Sequence, residues 1–261
     1  MIRCLAILLC KSSLALICLG LAAAHGQTEA RRSGYDFMRP DTQAMQRDDT
    51  LNPGMLWVRQ GEKLWLQAAN PGAKSCAACH GQASASMRGV AARYPAWDER
   101  SQKPVNLAQR INQCRQVHQE ATTWRLESQD LLALESFIAY QSRGLPLAPQ
   151  ASTSLQPHLD NGQRLYQQRL GQLNLSCAQC HDLNAGRHLG GNVIPQAHPT
   201  GYPIYRLEWQ TVGSLQRRLR NCMNGVRAEP FALGALELVE LELYLAERAR
   251  GMPLETPGVR P

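Results

Sequence analysis

The chain has 261 residues, a formal net charge of +7 at pH 7 and nine cysteines. Its positive charge is spread over many arginines and forms no dense basic block, which argues against a nucleic-acid-binding protein. The length allows one large domain or two domains of about 100 residues each.

The N-terminal segment has the pattern of a secretory signal peptide. Arg3 and Lys11 precede an apolar run over residues 14–24, and small residues near its end offer cleavage sites. No later stretch approaches the roughly 20 apolar residues that a transmembrane helix needs. We therefore predict a signal peptide at residues 1–26, no membrane span, and an N-terminal extension at residues 27–52 that matches neither repeat described below.

Two Cys-x-x-Cys-His motifs follow the extension. In this motif the two thiols are spaced to add to the vinyl groups of one haem, while the adjacent histidine reaches the iron as its proximal ligand. One copy could arise by chance or form a zinc or redox site, but two copies in an exported chain indicate two covalently bound haem c groups. The expected attachment and ligand residues are Cys76, Cys79 and His80 for the first haem and Cys177, Cys180 and His181 for the second.

The sequence around the motifs also repeats. Residues 61–65 precede the first motif at the same distance as residues 162–166 precede the second, and a lone cysteine, Cys114 or Cys222, follows each motif. An amphipathic helical pattern closes each copy, and a glycine followed by a proline ends that helix. The repetition predicts an all-α fold of two tandem cytochrome c-like haem domains. The predicted domain boundaries are residues 53–148 and 149–261.

Several residues could be the distal ligand of each haem. The candidates are Met87, His118 and Cys114 in the first copy, and His188, His198, Met223 and Cys222 in the second. Cysteine is the only ligand type at equivalent positions of both copies, so we predict that Cys114 and Cys222 are the axial ligands. The alternative is a disulfide between them, which an oxidising compartment permits and which needs a Cα separation within about 7 Å.

A thiolate ligand stabilises ferric iron, which predicts low reduction potentials and favours sulfur chemistry over simple electron transfer. If the segment is helical, Arg218 lies one turn before Cys222 on the same face. A guanidinium there would bind an oxyanion in a forked geometry and favour the thiolate, so we predict Cys222 and Arg218 as catalytic residues. Arg110 has the same offset from Cys114. Both arginines could instead pair with haem propionates, and we expect this structural role for Arg110.

The two motifs, the two lone cysteines and the segment from Arg218 to Pro230 resemble the SoxA family, the catalytic subunits of the SoxAX cytochromes of bacterial thiosulfate oxidation. The resemblance covers about residues 54–253 and implies a periplasmic L-cysteine S-thiosulfotransferase. Such an enzyme joins thiosulfate oxidatively to a cysteine of a SoxYZ-like carrier and passes two electrons through haem to a SoxX-like monohaem cytochrome, its heterodimer partner. The resemblance further implies that Cys222, often a persulfide in the family, is the active-site ligand and that Arg218 helps bind thiosulfate.

Two other functions remain open on sequence alone. A thiosulfate dehydrogenase also resembles a dihaem cytochrome with a cysteine-ligated haem, but it couples two thiosulfates into tetrathionate and needs no carrier protein. A simple dihaem electron-transfer protein would have at least one distal Met or His and would not depend on Cys222. The lone cysteine at equivalent places in both copies favours the SoxA interpretation.

Overall fold

The computed structural model describes residues 30–261, and the predicted signal peptide at residues 1–26 lies outside this part of the chain. Residues 31–261 form one unit. The helices are α1 (Pro40–Arg47), α2 (Met55–Leu66), α3 (Cys76–His80), α4 (Ala83–Ser86), α5 (Leu107–His118), α6 (Gln129–Tyr140), α7 (Gln156–Gln167), α8 (Cys177–His181), α9 (Leu215–Gly225) and α10 (Leu236–Arg248). The strands are β1 (Ala96–Asp98), β2 (Lys103–Val105), β3 (His188–Leu189), β4 (Asn192–Val193), β5 (Ile204–Arg206), β6 (Thr211–Gly213) and β7 (Gly258–Arg260). Within residues 30–261 no helix has the length and apolar character needed to cross a membrane.

Each half of the chain is built on a pair of crossed helices. α2 packs on α6 in the first half, and α7 packs on α10 in the second. A glycine lies at each crossing: a methyl group on Gly61 would overlap the Ala133 carbonyl, and one on Gly162 would overlap the Glu240 carbonyl. The backbones of each pair therefore touch, and the motif helix that follows, α3 or α8, packs against α2 or α7.

An aromatic residue links each crossed pair to its motif. Trp65 at the end of α2 and Tyr166 at the end of α7 are almost fully buried in the two apolar cores. The Trp65 indole Nε1 donates to the Gly81 carbonyl at 3.1 Å, and the Tyr166 hydroxyl donates to Asp182 Oδ1 at 2.8 Å. Gly81 and Asp182 each directly follow a motif histidine. Both copies therefore have a hydrogen bond from the buried aromatic residue to this position, with a backbone carbonyl as acceptor in the first copy and a carboxylate in the second.

Short strands depart from the all-α prediction. β1 pairs with β2 and β5 with β6, both antiparallel. The two pairs share one register, since Ala96 faces Val105 and Ile204 faces Gly213, at the same offset in the sequence (204 − 96 and 213 − 105). β7 adds to β5 in parallel, and β3 pairs with β4. The all-α prediction was therefore incomplete, because strands of two or three residues are too short to show an alternating pattern.

The N-terminal extension packs against the C-terminal end of the chain. The Asn52 side chain donates to the Pro257 carbonyl at 2.9 Å, and Gln46 Oε1 accepts from the Val259 amide at 2.9 Å. Nearer the N-terminus, the Ser33 hydroxyl lies 2.6 Å from a carboxylate oxygen of Glu255. These long-range contacts hold the extension on the second half.

A cavity of about 100 Å³ between the two halves is lined by carboxyl groups. Glu242 accepts hydrogen bonds there from Asn106 at 2.9 Å and from Gln216 at 3.2 Å, whereas Oε2 of Glu135 is buried without a hydrogen-bond partner among the described residues. Burial, together with the charges of Glu242 and Glu127, raises the pKa of Glu135 to about 8. Burial also raises the pKa of Glu242 to about 7, although its two hydrogen bonds oppose the shift.

We expect the free energy of unfolding to fall as the pH rises towards 8, the folded-state pKa of Glu135, because an unfolded glutamate ionises near its ordinary pKa of 4.5. Between these two pKa values the folded protein binds the extra proton, so raising the pH favours the unfolded chain. Glu135→Gln should therefore raise the thermal midpoint more at about pH 8 than at about pH 5. Glu62→Gln on the exposed face of α2 is the control. An equal shift at both pH values would contradict the assignment.

Gly162→Ala should destabilise the second half, because the added methyl group forces α7 away from α10. We expect a loss of about 2–4 kcal/mol in the free energy of unfolding, measured by denaturant titration of the haem-loaded protein. Gly225→Ala is the matched control, since Gly225 is also helical and a methyl group there meets open space. A stable Gly162→Ala protein would show that the two backbones do not touch.

Candidate active site

Both motifs form a single helical turn whose start is fixed by a serine. The Ser75 hydroxyl accepts from the Ala78 amide at 3.1 Å, and the Ser176 hydroxyl accepts from the Gln179 amide at 3.2 Å. Such N-caps satisfy amide groups that a helix leaves unpaired at its first turn. Because residues three apart on a helix are neighbours, the two cysteines of each motif lie side by side.

A cavity of about 1090 Å³ opens beside the first motif. Its walls include Cys76, Cys79 and His80 from the motif and Cys114 from α5. The Trp65 ring packs near the His80 ring, with centroids 5.7 Å apart. Two thiols for covalent attachment, an imidazole and a further thiol within one large and mainly apolar space fit a c-type haem.

The other distal candidates of the first half, Met87 and His118, line the same cavity. Burial raises the pKa of the Cys114 thiol, and the charge of Arg110 only partly opposes this shift. Arg110 is itself held by Asp98, whose Oδ1 lies 2.8 Å from Nη2. The structure thus gives Arg110 a carboxylate partner from the protein.

His181 faces Cys222 in the second half. Its Nδ1 lies 2.6 Å from the Pro195 carbonyl oxygen, and because a carbonyl can only accept, Nδ1 carries a proton and Nε2 is left to bind iron. The same imidazole is hydrogen-bonded to the Cys222 sulfur. The imidazole of His181 and the thiol of Cys222 therefore lie together, and with Cys177 and Cys180 they form a donor set that could hold a second c-type haem.

The surroundings of Cys222 favour its thiolate. Burial raises the pKa of this thiol, but the hydrogen bond with His181 and the positive charges of Arg218 and Arg206 outweigh burial, so the net pKa lies below the ordinary value. The pKa of Cys114 shifts the other way. The two lone cysteines thus occupy equivalent positions with opposite electrostatic environments.

The remaining distal candidates of the second half are His188, His198 and Met223. His198 is hydrogen-bonded to a backbone carbonyl of the N-terminal extension, and His188 is exposed on β3. Met223 is buried in the apolar core of the second half. The cysteines of the described residues are free, so the alternative of a disulfide between Cys114 and Cys222 is not realised there.

Sequence analysis missed three residues of the two sites, namely Asp98, Pro195 and Arg206. Asp98 and Arg206 end equivalent strands, and the offset between them is also the offset between the two lone cysteines (206 − 98 and 222 − 114). Extending the internal alignment upstream from the cysteines would have paired them. Pro195 contributes only a backbone carbonyl, which no side-chain pattern reveals.

The model of the SoxA/TsdA cytochrome c domain family matches residues 60–147 and 161–254. The L-cysteine S-thiosulfotransferase subunit SoxA of Pseudaminobacter salicylatoxidans is 36% identical over 229 residues, which are 87% of this chain and 80% of that protein. The subunit of the same name from Rhodovulum sulfidophilum is 36% identical over 229 residues, 88% of this chain and 80% of its own. The crystal structure of SoxXA from P. pantotrophus has a TM-score of 0.85 at 33% identity, covering 88% of this chain and 87% of that one.

A cytochrome c domain carries covalently bound haem c, and we predict two such groups in this chain. The double variants Cys76→Ala/Cys79→Ala and Cys177→Ala/Cys180→Ala should each lose one haem and keep the other. The pyridine haemochrome assay on purified protein, with mass spectrometry of proteolytic peptides, measures the haem number and the attachment sites. One haem in the wild-type protein exported by a host that matures c-type cytochromes would contradict the prediction.

Proposed function

The chain belongs to the SoxA family of cytochromes, and on that basis we propose that it is an L-cysteine S-thiosulfotransferase subunit that joins thiosulfate oxidatively to a carrier cysteine. The observation that carries the proposal is the position of Cys222. Its thiol contacts His181, and the charge of Arg218 lowers its pKa. We further propose that the chain is periplasmic and holds two haem c groups. Its partners in this proposal are a SoxX-like monohaem cytochrome and a SoxYZ-like carrier.

In the proposed reaction, a carrier thiol and thiosulfate give a carrier cysteine S-thiosulfonate, one proton and two electrons. The Cys222 thiolate first forms a bond to the sulfane sulfur of thiosulfate, and two electrons are released. The carrier thiolate then attacks this sulfane sulfur, and Cys222 leaves as a thiolate, as in thiol–disulfide exchange. A haem held by Cys177, Cys180 and His181 would supply the one-electron acceptor for these two electrons.

The residues around Cys222 support this role. The lowered pKa of Cys222 favours its thiolate, which is the nucleophile of the first step and the leaving group of the second. Arg218 offers paired N–H donors that match the oxygens of the sulfonate group. The hydrogen bond from Nδ1 of His181 to the Pro195 carbonyl helps to hold the ring towards Cys222.

The surface beside the second motif suits a protein substrate. The segment from His181 to Tyr202 is longer than the equivalent segment of the first copy, which runs from His80 to Tyr94 (202 − 181 against 94 − 80). This longer segment displays Leu183 and Leu189, whose exposures are 75% and 71%. A protein that docks on this segment would cover the two exposed leucines. We propose that the carrier reaches Cys222 over this segment.

The test is conjugation of a purified SoxYZ-like carrier with thiosulfate in the presence of a SoxX-like monohaem cytochrome. Intact-mass spectrometry of the carrier should show the added thiosulfonate group with the wild-type protein. Cys222→Ala should lower the rate by at least about a thousandfold while both haems remain attached. The matched control, Cys114→Ala, changes the equivalent cysteine of the first half and should still give the adduct.

Two results would replace the proposal. Tetrathionate without a carrier adduct would make the protein a thiosulfate dehydrogenase. If the fully haem-loaded protein gives neither product, it is a simple electron-transfer protein.

A further inference from the structure

A β-hairpin followed by a helix occurs in both halves with the same strand register. β1–β2 leads into α5, and β5–β6 leads into α9, at a constant offset in the sequence (204 − 96 and 215 − 107). The turns of the two hairpins also agree, because Gln102 and Gln210 both have a left-handed backbone, with φ of 51° and 53°. Residues at equivalent positions of the two hairpins and helices therefore occupy corresponding backbone positions in the two halves.

In the first half, the last residue of the first hairpin strand is an acid that neutralises an arginine. Asp98 ends β1, and its carboxylate lies 2.8 Å from Arg110 on α5. The hydrogen bond from Ser101, aided by Arg110, outweighs burial and lowers the pKa of Asp98 to about 2. The carboxylate is therefore ionised at neutral pH, and it cancels the cation that lies one turn before Cys114.

In the second half both equivalent positions are arginines. Arg206 replaces Asp98 at the end of β5, and Arg218 corresponds to Arg110 (206 − 98 and 218 − 110). Burial, followed by the positive charge of Arg218, lowers the pKa of Arg206. Two guanidinium groups thus repel each other beside Cys222, where the first half has an ion pair.

Protein contacts satisfy Arg206 only in part. Its side chain is 11% exposed, and its ion pair at 3.0 Å is with Glu208, whose side chain is 60% exposed. Nε of Arg206 is buried without a hydrogen-bond partner among the described residues. An exposed carboxylate is well screened by water, so it compensates the buried charge poorly.

We propose that Arg206 is a second substrate-binding residue, and that Arg206 and Arg218 together bind the sulfonate end of thiosulfate with its sulfane sulfur towards Cys222. This inference rests on the function proposed above. A sulfonate has three oxygens and can accept forked hydrogen bonds from two guanidinium groups. A bound dianion also removes the repulsion between the two arginines, which gives the site a preference for doubly charged anions.

The same exchange explains why one half would react and the other would not. A thiosulfate dianion near Cys114 would meet the Asp98 carboxylate, whereas near Cys222 it meets two cations. Replacing one acid by one base at a single strand position changes the local charge by two units. The duplicated fold therefore separates an anion-binding site from a site closed to anions.

The first measurement is calorimetric binding of thiosulfate to the oxidised, haem-loaded protein without carrier. Arg206→Gln should weaken binding about tenfold to a hundredfold, the range expected for a lost charge-assisted contact. The affinity of Arg206→Lys for thiosulfate should fall between those of the wild type and Arg206→Gln. An ammonium group keeps the charge but cannot donate the paired hydrogen bonds of a guanidinium group. The matched control is Arg217→Gln, which removes the same charge. The guanidinium carbon of Arg217 lies 4.2 Å from the centroid of the Trp209 ring, and that of Arg206 lies 5.2 Å from the same centroid.

Arg217→Gln should bind thiosulfate like the wild type, and each variant should keep the wild-type haem absorption spectrum. In the carrier assay Arg206→Gln should raise KM for thiosulfate by the same factor, with a smaller effect on kcat. Wild-type affinity in Arg206→Gln would overturn the inference, and so would equal weakening in Arg217→Gln. Should Arg206→Gln fail to fold, wild-type affinity in Arg206→Lys would overturn the forked contact.

Failure of the proposed function has a different signature. A wild-type protein that binds thiosulfate through Arg206 but forms no carrier adduct would disprove the transferase reaction and leave the binding site in place. If the wild-type protein forms the adduct and Arg206→Gln binds thiosulfate with wild-type affinity, the transferase reaction stands and the role of Arg206 in binding is disproved.

Discussion

The close approach of two helix backbones at a glycine, present once in each half, is the constraint on which the rest of the structure depends. Gly61 and Gly162 let α2 meet α6 and α7 meet α10 without intervening side chains. The aromatic residue four positions later then reaches across to the residue after the motif histidine. Each Cys-x-x-Cys-His motif is thereby fixed relative to its own apolar core by contacts within the protein.

How far the sequence predicts this arrangement depends on the length of each pattern. The motifs, the helices around them and the lone cysteines recur at fixed spacing, so their pairing could be predicted, and the structure brings Cys222 against His181. Strands of two or three residues carry no periodicity, and the contacts of the extension join opposite ends of the chain. The hydrogen bond from His181 ends on a backbone carbonyl, which any residue could supply.

The two halves show how a duplicated scaffold can acquire two different sites. Their hairpins and cysteine-bearing helices share one register, yet the first half pairs Asp98 with Arg110 and the second sets Arg206 beside Arg218. Burial raises the pKa of Cys114 in the first half, whereas the hydrogen bond with His181 and the charges of Arg218 and Arg206 outweigh burial and lower the pKa of Cys222 in the second. Chemistry is thus assigned by a few side chains, while the backbone that positions them is nearly invariant.

The contacts of the N-terminal extension with the last strand also order the assembly of the protein in time. Ser33 and Gln46 emerge from the ribosome early, but their partners Glu255 and Val259 are synthesised near the end of translation. Closing so long a loop costs more entropy than forming the two helix pairs, whose partners are nearer in sequence, so we expect the helix pairs to form first. We expect these contacts to close late in folding, and a chain that ends before Glu255 cannot form them.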